Sequence, residues 1–106
     1  DRIVGRSDDM IKVKGTNIYP AQVEEILRNI EGFSSEYRII LDNEDLRDRM
    51  IVQAEAFEGS DREELERELE RACKSGLGIK VIPEVMKIGE LPRSEKKTKR
   101  VIDNRG

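Results

Sequence analysis

Two stretches of this chain, one near each end, hold residue types that can do chemistry. The first reads Gly5-Arg6-Ser7-Asp8-Asp9-Met10-Ile11-Lys12-Val13-Lys14-Gly15-Thr16-Asn17-Ile18-Tyr19-Pro20. It has the form of a glycine-bounded turn, a short strand, a second glycine turn and a helix start. Arg6, Lys12 and Lys14 are cations able to meet a phosphate or a ribose. Gly15 permits backbone conformations and close approaches that a Cβ would block. Asp8 can act as a charged pivot. An ordinary basic surface hairpin would contain the same residues, and taken alone they leave both readings open.

The second stretch is Leu91-Pro92-Arg93-Ser94-Glu95-Lys96-Lys97-Thr98-Lys99-Arg100-Val101-Ile102-Asp103. A basic run of this kind fits a solvated terminus, a nucleic-acid patch or a localisation signal. It holds no aromatic residue for a base to stack on, so nucleic acid is not an expected partner. Histidine is absent and Cys73 is the one cysteine. A His-based triad, a His-ligated zinc site and an internal disulfide framework are therefore excluded, and no metal ligands are assigned. Cys73 falls on the inward stripe of a helix and reads as core.

The elements that must position these stretches are legible from periodicity. Pro20 suits a first helical position. Val23, Ile26, Leu27 and Ile30 then recur on one face, with Glu24 and Glu25 near the positive end of the dipole and Gly32 as a stop. Residues 37–41 read as a short strand. Residues 49–57 alternate, with Met50, Val52, Ala54 and Ala56 on one face and Gln53 and Glu55 on the other. The polar residues 42–45 between them predict a hairpin connection. A second helix opens on a capping box, Ser60 with Glu63, and carries Leu65, Leu69, Ala72 and Cys73 inward. Glu63 with Arg67 and Glu70 with Lys74 are spaced for ion pairs on its outer face. Gly76 and Gly78 end it. Ile79 to Ile82 begin a last strand, which Pro83 marks as an edge or a bend. With residues 10–13 as a first strand, the expectation is a small α+β two-layer β-α-β-β-α-β sandwich, helices on one face of a three- to four-stranded sheet.

The chain has 106 residues, enough for one small domain with a thin core. Charged residues make up 41% and aromatics 4%, which suits a two-layer domain with charged outer faces. Residues 89–106 have no clear apolar period and are net basic, whereas the body carries the net negative charge. No run of 18 apolar residues and no signal peptide is present, so no membrane partner is expected and the cytoplasm is the default location. The chain starts without Met, inside a motif, which predicts an excised domain or a processed fragment.

Gly5-Arg6-Ser7-Asp8-Asp9, then Lys12, Gly15, Asn17-Ile18-Tyr19-Pro20 and Val23-Glu24, resembles the hinge motif of acyl-adenylate-forming enzymes, in the spelling of the phenylacetate–CoA ligase branch. Leu91-Pro92-Arg93-Ser94 through Lys97 and Val101 is similar to the C-terminal loop of the same family. The two occur in family order with the β-α-β-β-α-β body between them, so the resemblance spans essentially the whole chain.

The resemblance implies a two-step AMP-forming acid:CoA ligase. A carboxylic acid and ATP with Mg2+ give an acyl-adenylate and pyrophosphate. The C-terminal domain then rotates, and coenzyme A attacks the adenylate to release AMP. By this resemblance residues 1–106 are the mobile C-terminal domain, with 1–9 the hinge segment and 89–106 the lysine loop and tail. The larger N-terminal domain, which holds most contacts to ATP and Mg2+ and all acyl specificity, would be its partner. Lys97 falls at the loop lysine that bridges the acid's carboxylate and the α-phosphate. Asp8 falls at the hinge. Arg6, Lys12 and Asn17 fall where the family approaches ribose or phosphate. Lys14, Gly15 and Thr16 fall on the loop lining the pantetheine tunnel. One departure stands out, since Lys96 occupies the position before the loop lysine where the family has Gly. A different class of reading is a free-standing α+β interaction or regulatory module with a basic tail and no catalysis. An exposed sheet face or edge leaves a homodimer open in either case.

Overall fold

A computed structural model of the chain describes residues 10–90 and 101–105. Its α+β class agrees with the sequence, but two strands are placed differently. The described elements run β1 (Ile11–Val13), β2 (Thr16–Ile18), α1 (Pro20–Arg28), β3 (Phe33–Glu44), β4 (Arg47–Ala56), α2 (Arg62–Leu77), β5 (Ile82–Met86) and β6 (Val101–Asp103). The main sheet has four strands in the order β5-β4-β3-β6. The predicted first strand is not among them: β1 pairs only with β2, in a hairpin of its own. Its place is taken by β6, which pairs parallel to β3 through Ile39 with Val101 and Ile40 with Ile102. A three-residue strand is too short to show a period, so the tail gave no local sign of it.

The central hairpin is longer than alternation predicted. Residues 42–44 form no loop but extend β3, opposite Arg49, Asp48 and Arg47. These cross-strand partners hold the polar residues in the ladder, most firmly where Arg49 Nε and Nη2 each donate to Asp42 at 2.8 Å. The turn moves to Asp45 and Leu46, both at positive φ (54° and 65°). That is the primed geometry matching the twist of a two-residue hairpin.

The inner faces of β3 and β4 present Tyr37, Ile39 and Leu41 beside Met50, Val52, Ala54 and Ala56, all buried. Val23 and Leu27 of α1 and Leu65, Leu69, Cys73 and Leu77 of α2 join them in one core. Burial pushes the Cys73 thiol up to about 12, so at neutral pH it is a core residue and not a nucleophile. The opposite face carries a half-exposed row of isoleucines in register, Ile102, Ile40, Ile51 and Ile82. Beside it runs a hydrogen-bonded row in which Arg38 Nε donates to Gln53 and Gln53 Nε2 donates to Glu84.

Helix ends follow chemistry close to that expected. Pro20 opens α1, and the Tyr19 N–H donates to Gln22 Oε1 at 2.8 Å. Glu24 and Glu25 lie beyond the first turn, where they pair with Arg28 instead of meeting the dipole. The cap of α2 is Asp61, not Ser60, and Asp61 Oδ1 accepts the Glu64 N–H. Helix α2 ends at Gly78 in the left-handed conformation. Glu70 meets Lys80 beyond the helix, at 3.9 Å. Strand β5 starts at Ile82, later than expected, and Pro83 does sit on an edge strand, where a missing N–H is tolerated.

Candidate functional site

The β1–β2 hairpin carries five of the residues singled out above. Val13 and Ile18 point into the core and are fully buried, which pins the hairpin to the body. Alternation then sends Lys12 and Asn17 to the outer face, where they are exposed and paired directly across the two strands. Lys14 and Gly15 form the turn, at φ 54° and 78°, with Thr16 opening β2. Gly15 adopts this conformation freely, but Lys14 in the left-handed region costs about 1–2 kcal/mol. A Cβ placed on Gly15 would meet nothing within 4 Å, so the turn is an open surface and not a pocket.

The strained turn is held from outside the hairpin. Asp48, at the start of β4, accepts the Lys14 N–H through Oδ2 at 3.1 Å, and Lys14 Nζ donates to the Lys80 carbonyl at 3.3 Å. The Arg105 guanidinium reaches the same place from beyond β6. Its Nη1 donates to the Lys12 carbonyl at 2.7 Å and to Asp48 Oδ2 at 3.2 Å. Its Nε and Nη2 hold Asp103, both at 3.0 Å. These hydrogen bonds keep the Asp103 carboxyl below its ordinary value and raise Arg105 further.

At the other end of β4 stands a second carboxylate. Glu55 is fully buried. Its Oε2 accepts the Gly89 N–H at 2.8 Å, and its Oε1 accepts the Ser34 hydroxyl at 3.2 Å. Beside it a cleft of about 390 Å³ is lined by Phe57, Gly59, Met86, Lys87 and Ile88. Arg6, Asp8, Lys96 and Lys97 lie outside the described residues, so the geometry joins Lys12, Asn17, Lys14, Gly15 and Thr16 but does not bear on those four.

Residues 15–105 match the family described as "AMP-binding enzyme C-terminal domain". The chain belongs to that family.

As an AMP-binding enzyme C-terminal domain it is 35% identical over 111 residues to a phenylacetate-coenzyme A ligase of Escherichia coli K12, an alignment covering 99% of this chain and 25% of that enzyme. A phenylacetate-coenzyme A ligase of Pseudomonas putida is 31% identical, covering 98% and 25%. The chain thus spans about a quarter of the length of these curated relatives. Among solved structures, a domain of a phenylacetate-coenzyme A ligase from Bacteroides vulgatus superposes with a TM-score of 0.84 at 32% identity, covering 94% of this chain and 96% of that one. A 2-hydroxyisobutyryl-CoA ligase in complex with 2-HIB-AMP and CoA, in the thioesterification state, gives 0.84 at 28%, covering 92% and 22%.

Asp48, Glu55 and Arg105 were not reached by sequence reasoning. Asp48 and Arg105 meet partners up to 93 positions away, and no local pattern records such contacts. Glu55 read with Gln53 as the polar face of its strand, and alternation gave no sign that it is fully buried. Among the described residues no group of three or more His, Cys, Asp or Glu could hold a metal, and no helix is long and apolar enough to cross a membrane.

Proposed function

We propose that this domain serves an AMP-forming acid:CoA ligase acting on an aryl acid of the phenylacetate type, as the mobile C-terminal part of a longer chain in the cytoplasm. The observation that carries the reading is the open Lys12–Asn17 face beside the Lys14–Gly15 turn. Its polar groups are presented on an open surface, so they can enclose a nucleotide or a thiol only against a second surface. An N-terminal adenylation domain would supply that surface, and Mg2+ would travel there with ATP.

In the first half-reaction a carboxylate oxygen of the acid attacks the α-phosphorus, and pyrophosphate leaves. The Lys97 ammonium stabilises the charge that gathers there. In the second, the coenzyme A sulfur bonds to the acyl carbon, the bond to AMP breaks, and the thiol proton is lost to solvent. Lys12, Asn17 and Arg6 approach ribose or phosphate, and Lys14, Gly15 and Thr16 border the pantetheine. The separation of Asp48 from Glu55 supports a rotation between the two steps. Seven residues of extended strand put them roughly 23 Å apart, so the Lys14 turn and the segment entered at Gly89 start from opposite ends of the sheet. Asp8 would absorb the rotation as the hinge.

The test uses the full-length ligase carrying this domain, with Lys97→Ala against wild type. ATP–pyrophosphate exchange with phenylacetate should fall by about a hundredfold or more, as for loss of a charge-stabilising donor. Thioester formation from supplied phenylacetyl-adenylate and coenzyme A should be kept. Unimpaired exchange would remove Lys97 from the chemistry. Turnover by the 106-residue chain alone would overturn the division of labour between domains.

A further inference from the structure

We infer that Asp48 and Arg105 are positioning residues for the thioester-forming step, locking the Lys14–Gly15 turn in the shape that coenzyme A passes. This rests on the proposed assignment of that turn to the pantetheine path and extends it to two residues outside the motif.

The geometry argues from strain. Lys14 is not a glycine, yet it holds a φ of 54°. A two-residue hairpin turn asks for such a conformation at both positions, but in a residue with a Cβ it carries a strain that outside contacts can offset. Here the constraint comes from one carboxylate with both oxygens occupied. Asp48 Oδ2 takes the Lys14 N–H and an Arg105 Nη1 proton, while Oδ1 takes Asn43 Nδ2 at 2.9 Å. Arg105 completes the lock by binding the Lys12 carbonyl on the other side of the turn. The turn is therefore gripped at residues 12 and 14, and Gly15 is left open between the grips and the solvent.

Burial separates this pair from an ordinary surface ion pair. The side chains of Arg105 and Asp48 are only 22% and 27% exposed. Partial shielding makes their charge-assisted bonds stronger than those of exposed pairs, whose contribution is often negligible. Arg105 is in addition fixed by its two bonds to Asp103, so its fork reaches the hairpin pre-oriented. Releasing either residue would let Lys14 relax toward an ordinary φ and carry Gly15 with it. Atoms that line a path for a substrate need not move far to close it.

The experiment measures both half-reactions of the full-length ligase in Asp48→Ala, Asp48→Asn, Arg105→Ala, Arg105→Lys and Gly15→Ala. In Asp48→Ala and Arg105→Ala the KM for coenzyme A should rise about tenfold, the size expected for one charge-assisted hydrogen bond. ATP–pyrophosphate exchange should keep its wild-type rate. Asp48→Asn keeps an acceptor for the Lys14 N–H, and Arg105→Lys keeps the charge, so both should show smaller rises. These milder variants also carry the test if the alanine forms do not fold. Equal losses in both half-reactions would mean a merely structural role and overturn the inference. So would an unchanged KM in the Asp48 and Arg105 variants while Gly15→Ala raises it. An unchanged KM in Gly15→Ala would instead remove the turn from the coenzyme A path, and the underlying reading would fail first.

Discussion

The two ends of β4 solve the same problem in different ways. At one end Asp48, partly exposed, fixes the Lys14 turn with the help of a cation, Arg105. At the other Glu55, fully buried and on the opposite face of the strand, has the Gly89 N–H and the Ser34 hydroxyl among its donors. The first arrangement is stabilised by opposite charge and can be adjusted without exposing anything to an apolar interior. The second depends on every buried polar atom keeping a partner, because an unmet one carries the full cost of lost hydration. The lesson concerns what each end tolerates. The Asp48 end should change function before stability, and the Glu55 end should change stability first.

Breaking the comparison at the buried end should give the largest effect on stability. Glu55→Ala empties a fully buried site and removes the acceptor of the Gly89 N–H and the Ser34 hydroxyl, and is expected to lower unfolding free energy by about 1–3 kcal/mol, read from urea denaturation. A loss as small as that of an exposed substitution would show that the two ends do not differ.

Acid probes the sites held by opposite charge. The hydrogen bond from Arg49 lowers the Asp42 carboxyl below its ordinary 3.8, and that from Arg105 does the same for Asp103. A carboxyl depressed in the folded state contributes stability that is complete above the unfolded value and fades as pH falls through the folded one. The urea midpoint should therefore be insensitive to these two groups above 3.8 and decline below it. In Asp42→Asn that decline should be shallower, and an unchanged acid profile would contradict the assignment.

The smallest expected effect lies at the tip of the central hairpin. Leu46 is fully exposed at a φ of 65°, so its side chain gains nothing from the conformation it strains. Leu46→Gly should stabilise the chain by about 1 kcal/mol, visible as a raised Tm. A destabilised Leu46→Gly would mean that the turn is not strained as described.

The same contrast explains which parts of the molecule were legible in the sequence. Helices α1 and α2 declare themselves through the stripes at Val23, Leu27, Leu65, Leu69 and Cys73, because a helical face repeats within a few residues. Strand β4 declares its inner face at Met50, Val52 and Ala54. The glycine turn at Gly15 and the basic residues around it were readable as a motif. What stayed hidden depends on distance along the chain. Strand β6 is three residues that become a strand only beside Ile39 and Ile40 of β3. The Asp45–Leu46 turn has neither Gly nor Asn to mark it, since the cross-strand pairs of Asp42 and Asn43 fix the register instead. Asp48 and Arg105 look like ordinary surface charges until the fold sets them against Lys12 and Lys14.

The central claim is that two segments of this one domain serve two different chemical steps. Its most direct test crosses Lys97→Ala and Gly15→Ala with the two half-reactions in the full-length ligase. The account predicts a crossed result, with Lys97→Ala losing pyrophosphate exchange and Gly15→Ala losing thioester formation, each sparing the other step. Losses confined to the same half-reaction for both variants would contradict it.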